Sequence, residues 1–182
     1  MFDYNNFVNQ DNYLEIMEKI RSPNCNINFK IIGSPLLNYA CKNGIAEVIQ
    51  LLKDSNGVMF AEYSNRALLE AVDNGFIEIV EKLMEIEEVF ELSKNSDVIK
   101  NAILAGHYNI ALFLFNKIGE VRKESVGYLV SNVLLNKDSV QRTELLKVLW
   151  SSEPIKNQLK LNSNKIYNKM IQQEILWKIN GF

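Results

Sequence analysis

The chain has 182 residues, of which 47% are hydrophobic and 23% charged, and its formal net charge is −2. That length suits one domain with a substantial core, and only 3 Pro and 8 Gly exclude a fibrous or disordered composition. The near-neutral charge argues against nucleic acid as the main ligand. No apolar run approaches the roughly eighteen residues that a membrane helix needs. The first residues, MFDYNNFVNQD, also lack the basic and apolar pattern of a signal peptide.

Residues 1–32 predict a degenerate unit that caps the N-terminal end. Within the segment Asp11–Ile20, three apolar residues at helical spacing indicate one amphipathic helix: Ile16, Met17 and Ile20. A turn at residues 22–24 ends it. A shorter preceding helix would be built on Phe2, Tyr4, Phe7 and Val8. Because a terminal unit exposes one side to water, an atypical and more polar sequence is expected there.

Residues 33–122 contain three copies of one unit, repeated at a step of thirty-one residues. Five columns of residues keep this step without a gap: Leu37, Leu68 and Ile99; Ala40, Ala71 and Ala102; Gly44, Gly75 and Gly106; Val48, Ile79 and Ile110; Leu52, Leu83 and Leu114. Repeats of this length are typical of solenoids, which usually bind other molecules rather than catalyse reactions.

Each copy predicts a helix, a glycine turn, a second helix and a connection. In the first copy, Pro35 suits the opening turn of the first helix, because proline lacks an N–H that has no partner there. Gly44 ends that helix, since glycine readily adopts the left-handed conformation. Val48 and Leu52 then lie on the inner face of the second helix. One such pair cannot bury both of its faces, so neighbouring pairs must stack.

The segment YACKNGIAEVIQLL resembles the core of an ankyrin repeat, whose pattern is T-P-L-H-x-A-A-x-x-G-H-x-x-V-V-x-x-L-L. LLEAVDNGFIEIVEKLM and IKNAILAGHYNIALFLF match in the same register, so the resemblance spans about Ser34–Phe115. The step is two residues shorter than the family's thirty-three. We therefore expect plain loops, carrying Phe60, Tyr63 and Phe90, in place of projecting β-hairpins. Such units resemble the hairpin-poor ankyrin repeats of secreted effectors from intracellular bacteria.

The C-terminal third predicts one divergent repeat and a cap. In residues 123–152, Val130 and Val133 continue two columns, but the second helix comes four residues late, which indicates an insertion within residues 136–143. Residues 153–182 predict C-terminal cap helices. An amphipathic stripe is marked there by Ile166, Met170, Ile171, Ile175 and Ile179, and Trp177 beside it either packs or lies exposed.

The chemistry of the sequence favours binding over catalysis. It has no Gly-rich phosphate loop and no Cys-x-x-Cys pair. With a single histidine, most acid–base and metal sites are hard to build. We predict no catalytic residue, no cofactor and no metal, and two reduced thiols at Cys25 and Cys41. The alternative is an enzyme on a helical-repeat scaffold, with His107 and either cysteine as a thiol–imidazole pair, or with Glu chemistry.

Charge is distributed unevenly along the chain. From Ala61 to Ser93 there are nine acidic residues against two basic ones, whereas from Lys94 onward thirteen basic residues face seven acidic ones. Two interpretations stay open. The charges are either ordinary solvated helix faces, or a dipolar surface that steers a partner of opposite pattern.

The fold expected from these observations is all-α: a short ankyrin-like solenoid of stacked helix-turn-helix units with degenerate caps, forming a single domain over residues 1–182. The resemblance implies a monomeric protein–protein interaction module, cytoplasmic or secreted into a host cell without a classical signal peptide. Its partner would be another protein, and the resemblance to secreted effectors implies a host protein. A self-assembling structural subunit is a further alternative. The variable positions of the family pattern give the candidate partner-binding residues Ser34, Lys42, Asn43, Tyr63, Asn65, Asp73, Asn74, Lys94, Ser96, Leu104 and Ala105.

Overall fold

A computed structural model describes residues 8–22, 28–54, 60–94, 97–119, 125–135 and 139–179, except the side chains of residues 29–31 and 60–64. Across these ranges it contains twelve helices and no strand, which confirms the all-α prediction. The helices are α1 (Tyr13–Arg21), α2 (Phe29–Asn43), α3 (Ala46–Asp54), α4 (Phe60–Asp73), α5 (Ile77–Leu83), α6 (Glu87–Ser93), α7 (Val98–Leu104), α8 (Tyr108–Ile118), α9 (Val126–Leu135), α10 (Val140–Ser151), α11 (Glu153–Asn162) and α12 (Asn164–Ile179). Among these described helices, none is long and apolar enough to cross a bilayer.

The chain divides into two compact units, residues 1–96 and residues 97–182. In the first unit, α2–α3 and α4–α5 are successive helix pairs. α2 packs on α4 and α3 packs on α5, so equivalent helices of the two pairs lie side by side. The predicted columns lie in the core of this unit, where the buried residues include Leu37, Ala40, Val48, Leu52, Leu68, Ala71, Ile79 and Leu83. Full burial of each large side chain contributes about 1.5–3 kcal/mol relative to exposure.

The second unit contains three helix pairs, α7–α8, α9–α10 and α11–α12. α7 packs on α8 and on α9, α8 packs on α10, and α9 packs on α11. The columns continue in its core through Ile99, Ala102, Ile110, Leu114, Val130 and Val133. Leu145 and Leu149 are also buried, which places them where Val48 and Leu52 stand in the first pair, four residues late, as the predicted insertion requires.

α2, α4 and α7 end in the same hydrogen-bonded turn. The column glycines have left-handed backbones, with φ of 75° at Gly44, 77° at Gly75 and 79° at Gly106, as predicted. The residue after each glycine donates its N–H to the carbonyl of the column alanine: Ile45 to Ala40 at 3.0 Å, Phe76 to Ala71 at 3.0 Å, and His107 to Ala102 at 2.9 Å.

A second bond closes the turns after α4 and α7. Gly75 donates its N–H to the Val72 carbonyl at 3.2 Å, and Gly106 donates to the Ile103 carbonyl at 3.1 Å. This pair of bonds is a Schellman motif, which gives partners to two carbonyls that a helix end otherwise leaves unpaired.

The fourth repeat satisfies the equivalent carbonyls with a side chain. Val133 and Leu134 of α9 correspond to Ala102 and Ile103 of α7 at the thirty-one-residue step. The guanidinium of Arg142 donates from Nε to the Val133 carbonyl and from Nη2 to the Leu134 carbonyl, the latter at 2.9 Å. Arg142 is buried, with 6% of its surface exposed. One side chain thus makes both hydrogen bonds that the glycine turn makes elsewhere.

The insertion also positions this arginine. The predicted second helix of the repeat, Glu144–Leu149, is longer in the structure, because α10 begins at Val140. Ser139 caps this helix, since its hydroxyl accepts the N–H of Arg142 at 3.1 Å. The extra residues therefore include a new first turn of α10, and Arg142 lies within it.

The first helix of the first copy, α2, begins earlier than predicted. The sequence analysis placed Pro35 in the opening turn, but α2 begins at Phe29 and Pro35 lies inside it. The apolar period continues upstream, since Ile32, Leu36 and Ala40 follow one another at four-residue steps and are all buried. Their burial outweighs the one helix hydrogen bond that Pro35 cannot make.

The prediction of plain loops between repeats was wrong where the structure describes these segments. Phe60 and Tyr63 belong to α4, and Phe90 belongs to α6. α6 packs on α4 and buries Val89 and Ser93, which are four residues apart on one face. Acidic residues in its first turn favour the helix by interacting with its dipole.

The buried face of α12 also differs from the predicted stripe. Met170 and Trp177 are buried, whereas Ile175 and Ile179 are 52% and 73% exposed. Met170 and Trp177 lie two helical turns apart, so they share one face, and the large indole ring buries more apolar area there than an isoleucine would. Of the predicted N-terminal cap, α1 buries Ile16, Met17 and Ile20 as expected, and Phe2, Tyr4 and Phe7 lie outside the described residues.

Gly106 allows the left-handed turn to be tested without a steric clash, because a Cβ atom added there meets nothing within 4 Å. We expect Gly106→Val to lower the free energy of unfolding by about 1–3 kcal/mol through backbone strain. Gly106→Asn should cost much less, because Asn tolerates this conformation. Urea denaturation followed by circular dichroism measures both. Equal stability of the two variants would show that backbone conformation is not what matters at this turn.

Arg142→Met should leave the Val133 and Leu134 carbonyls without their side-chain donor, at a cost of about 2–4 kcal/mol for one buried and one partly buried acceptor. Arg142→Lys keeps the charge but cannot span both carbonyls, so its stability should fall between those of Met and Arg. The same denaturation experiment decides. A Met variant as stable as the parent would contradict the capping role.

Candidate partner-binding surface

The predicted residues at the ends of the first helices are exposed. Lys42 and Asn43 end α2, and Asp73 with Asn74 ends α4 and enters its turn. The hydrogen-bonded turn that follows fixes where each helix ends. The side chains therefore stand at equivalent places of two successive repeats, as the step of thirty-one residues predicts.

Asn43 and Asn74 repeat one hydrogen bond. Each donates from Nδ2 to the carbonyl four residues earlier, Asn43 to Tyr39 and Asn74 to Glu70, both at 2.8 Å. At Glu70 the carbonyl also accepts the backbone N–H of Asn74 at 3.1 Å, so the side chain adds a second hydrogen bond at the helix end. The two side-chain bonds also orient both amides, so the two residues form part of the turn as well as part of the exposed surface.

A groove of about 360 Å³ opens beside these residues in the first unit. One wall comes from α2, the other from α4, and the segment 8–10 forms its rim. The helix residues that line it are Asn38, Tyr39, Lys42, Asn43, Arg66 and Glu70. Two of the predicted residues, Lys42 and Asn43, therefore belong to a concave site.

The α2 wall of the groove is held by a chain of contacts. The Tyr39 ring stacks on Tyr13 of α1, with ring centroids 5.2 Å apart. The Tyr13 hydroxyl lies 3.4 Å from Glu47 Oε1, and Arg21 Nη2 lies 3.1 Å from Glu47 Oε2. Burial raises the pKa of the Tyr13 phenol, as does the nearby Glu47 carboxylate, so Tyr13 stays a neutral donor. Tyr39 is thus fixed in place before any ligand binds.

The rim is also ordered by its own hydrogen bonds. The Asn9 side chain accepts the N–H groups of Asp11 and Asn12 at 3.0 and 3.1 Å, and Asn12 Oδ1 accepts the Asn9 N–H at 2.9 Å. This reciprocal arrangement precedes α1 and holds Asn9 and Gln10 beside the groove. The α2 wall and the rim of the groove are therefore preorganised.

Several polar groups in the groove have no partner within the described ranges. Lys42 and Arg66 form no ion pair there. Arg66 and Glu70 are four residues apart, a spacing at which such side chains often pair, yet no salt bridge joins them. The Asn38 side-chain oxygen is fully buried and accepts no hydrogen bond. The described lining of the groove thus includes two cations, Lys42 and Arg66, and one anion, Glu70. It also includes the Asn38 side-chain amide, whose oxygen accepts no hydrogen bond.

The other predicted residues of the first unit whose side chains the structure describes do not line this groove. Ser34 is half-buried within α2, and Asn65 is exposed on α4. Tyr63 belongs to α4, but its side chain is not among those described. Lys94 Nζ lies 2.5 Å from Glu91 Oε1 and 4.3 Å from the centroid of the Phe90 ring, so its charge is already engaged. Ser96 lies outside the described residues.

In the second unit, Leu104 and Ala105 are exposed where α7 ends, and 48% of the Leu104 surface is accessible. Ala105 corresponds to Asn43 and Asn74 but has no side-chain amide, so the hydrogen bond of the first two turns is lost here. Leu104 offers an apolar contact instead of the charged Lys42 and Asp73.

Sequence reasoning missed the residues one helical turn before the predicted ones. Asn38 and Tyr39 precede Lys42 and Asn43 by four residues, and Glu70 precedes Asn74 by four. The helical period would have indicated that these residues share a face. The family pattern drew attention to the variable positions at the turn instead. It could not indicate that segment 8–10 would complete the groove.

The protonation state of Cys41 bears on the predicted absence of a catalytic thiol. Burial, together with the nearby Glu70 carboxylate, raises the pKa of the Cys41 thiol to about 12. Cys41 is therefore protonated near neutral pH and is not a nucleophile. His107 precedes α8, and Cys25 lies outside the described residues. Within the described ranges, no group of three or more His, Cys, Asp or Glu residues is placed to hold a metal ion.

Residues 6–95 match the family model for ankyrin repeats, with three copies. This match starts and ends earlier than the resemblance seen in the sequence. It includes the segment with α1, covers both helix pairs of the first unit, and stops before α7. Comparisons with curated proteins and with solved structures found no match. Residues 6–95 are therefore similar to ankyrin repeats, and the helices of the described residues are consistent with an all-α ankyrin-repeat solenoid.

Proposed function

We propose that this protein is an interaction module that binds another protein through the ends of α2 and α4 and the groove between them. Ankyrin repeats are in general protein–protein interaction modules. The observation that carries the proposal is the recurrence of exposed Lys42–Asn43 and Asp73–Asn74 at equivalent turns, beside an open groove lined by polar side chains. These positions can vary without disturbing the buried columns, which is why repeat proteins can use them for recognition.

The proposal extends to the other candidate residues. Leu104 and Ala105 would add apolar contacts in the second unit, and Asn65 and Tyr63 would add contacts from α4. Ser34, Lys94 and Ser96 remain proposed contacts at the border of this surface. We also propose that the protein acts without catalysis, supported by the protonated state of Cys41.

A more specific proposal is that the protein is a secreted effector whose partner belongs to a host cell. Its support is the resemblance of the repeats to hairpin-poor ankyrin repeats, together with the helix α6 between the second and third copies. Fusion to a reporter enzyme that is active only in host cytosol tests this proposal during infection. Reporter activity that needs the bacterial secretion machinery supports it. A fusion protein that accumulates in the bacteria and gives no reporter activity in the host overturns it, leaving a cytoplasmic interaction module.

Self-assembly is a second candidate function, favoured by one observation. α12 exposes four large apolar residues, with Ile171 36%, Ile175 52%, Leu176 51% and Ile179 73% accessible. Association of two copies through this face would cover them. Against it, we propose a monomer that uses the α2–α4 surface. Sedimentation equilibrium decides between them, because a dimer that Ile175→Ser and Ile179→Ser together convert to monomer would favour assembly.

The binding surface can be tested once a partner has been identified by cross-linking and mass spectrometry. We expect the double variant Lys42→Ala, Asp73→Ala to weaken the complex at least tenfold, or about 1.4 kcal/mol. The melting temperature should barely change, because both side chains are exposed. Calorimetric titration measures the affinity.

The control for this experiment is the double variant Glu78→Ala, Lys82→Ala on α5, which also removes one acid and one base of the same unit. It should leave the affinity unchanged. If the α2–α4 variant binds normally and only the α12 variants fail to bind, the C-terminal cap is the site and the proposal is wrong.

A further inference from the structure

We infer that the groove between α2 and α4 recognises an extended peptide segment with a single carboxylate side chain flanked by neutral or basic residues. This inference rests on the proposed function and names the chemistry of its partner. It depends on Asn38, Lys42, Arg66 and Glu70, which line one groove of the first unit.

The carboxylate follows from the two cations. Lys42 and Arg66 come from opposite walls, and within the described part of the chain neither has an acidic partner. Arg66 is also one of only two basic residues between Ala61 and Ser93. A carboxylate between two cations forms charge-assisted hydrogen bonds, which are stronger than neutral ones, particularly with the planar guanidinium.

The acidic residues near the groove are the reason for inferring that the ligand has only one carboxylate there. Glu70 lines the groove one turn after Arg66 on α4, and Asp73 lies at the end of the same helix. A second carboxylate on the ligand would meet these acids and be repelled, whereas a basic or neutral neighbour would not. Glu70 and Asp73 thus repel strongly acidic partners, whereas Lys42 and Arg66 attract one negatively charged side chain.

Asn38 is the reason for inferring that the groove binds a peptide backbone. Its buried oxygen accepts no hydrogen bond from the described residues, and a buried polar group without a partner is costly. Because the terminal torsion of Asn is broad, the amide can turn toward the groove, and its oxygen loses no hydrogen bond in doing so. A side-chain amide offers one acceptor and donors, which match the N–H and C=O of an extended peptide.

A random peptide library displayed on phage and selected on the full-length protein tests this inference. We expect enriched peptides to share one Asp or Glu at a fixed position, with no second acid beside it. The strongest peptide and its version with Asn or Gln in place of the acid are then synthesised, and their affinities are measured by fluorescence anisotropy.

Charge recognition is tested by Lys42→Ala and Arg66→Ala. Each should weaken the acidic peptide at least tenfold and change the affinity of the neutral version by less than twofold. The control Lys19→Ala removes an exposed cation of the same unit that lies on α1 outside the groove lining, and should change neither affinity.

Asn38→Leu separates recognition from a structural role. If the amide awaits a ligand, the variant should weaken the peptide at least fivefold while raising the melting temperature by about 2–4 °C, because an unpaired buried oxygen is removed. A structural amide would instead lower the melting temperature when replaced.

Three outcomes overturn the inference: no peptide is enriched, the enriched peptides share no acid, or the groove variants bind the acidic peptide as the parent does. The proposed function is judged separately. A partner protein that is lost with the Lys42–Asp73 double variant but binds the Asn38→Leu and Arg66→Ala variants normally would keep the interaction module and remove the groove as its peptide site.

Discussion

The structure depends on one hydrogen bond, from the residue after each turn glycine to the carbonyl of the column alanine. It closes the first helix of a repeat and reverses the chain within three residues, from Asn43 to Ala46 in the first case. The bond forms where the turn glycine has a positive φ, and the column alanine whose carbonyl accepts it is fully buried in each repeat. The glycine column is therefore the consequence of one geometric constraint, the left-handed backbone of the turn.

This constraint also shapes the binding surface. Because α2 and α4 end at equivalent residues, their exposed last turns stand in the same register and their inner sides are committed to the core. What remains is a strip one to two turns long on each helix. Segment 8–10 and the Tyr13–Tyr39 stack then convert part of that strip into a groove. Recognition chemistry is thus confined to few residues, and the fold decides which ones.

The sequence was sufficient for features that recur at a constant step. Three copies show the same buried columns, so Ala71 and Leu83 were assigned to the core and Gly75 to a left-handed turn without any structure. Features that occur once carried no such signal. The early start of α2 depends on burial of Ile32 and Leu36, which outweighs the usual effect of Pro35. The helix α6 depends on packing against α4, a tertiary contact that propensity does not reveal.

The candidate site shows the same division. Lys42, Asn43, Asp73 and Asn74 were predicted from their place in the repeat and are exposed as expected. Asn38 and Arg66 lie one or two helical turns away. They matter because the Asn38 oxygen accepts no hydrogen bond and Arg66 has no ion-pair partner among the described residues, and the sequence alone does not show either fact. The unpaired amide of Asn38 and the engaged charge of Lys94 illustrate this, because a sequence shows which groups are polar but not which are satisfied.

Arg142 has a consequence for how the repeats of this chain can change over time. In α7, the backbone that reverses the chain also supplies the hydrogen bonds, so turn length and helix capping cannot vary independently. In the fourth repeat the capping donors come from Arg142 in the first turn of α10, so the residues that connect α9 to α10 do not need to form these hydrogen bonds. Length changes between α9 and α10 are therefore uncoupled from the closure of α9, which makes this repeat the place where new segments can be accepted with the stack intact.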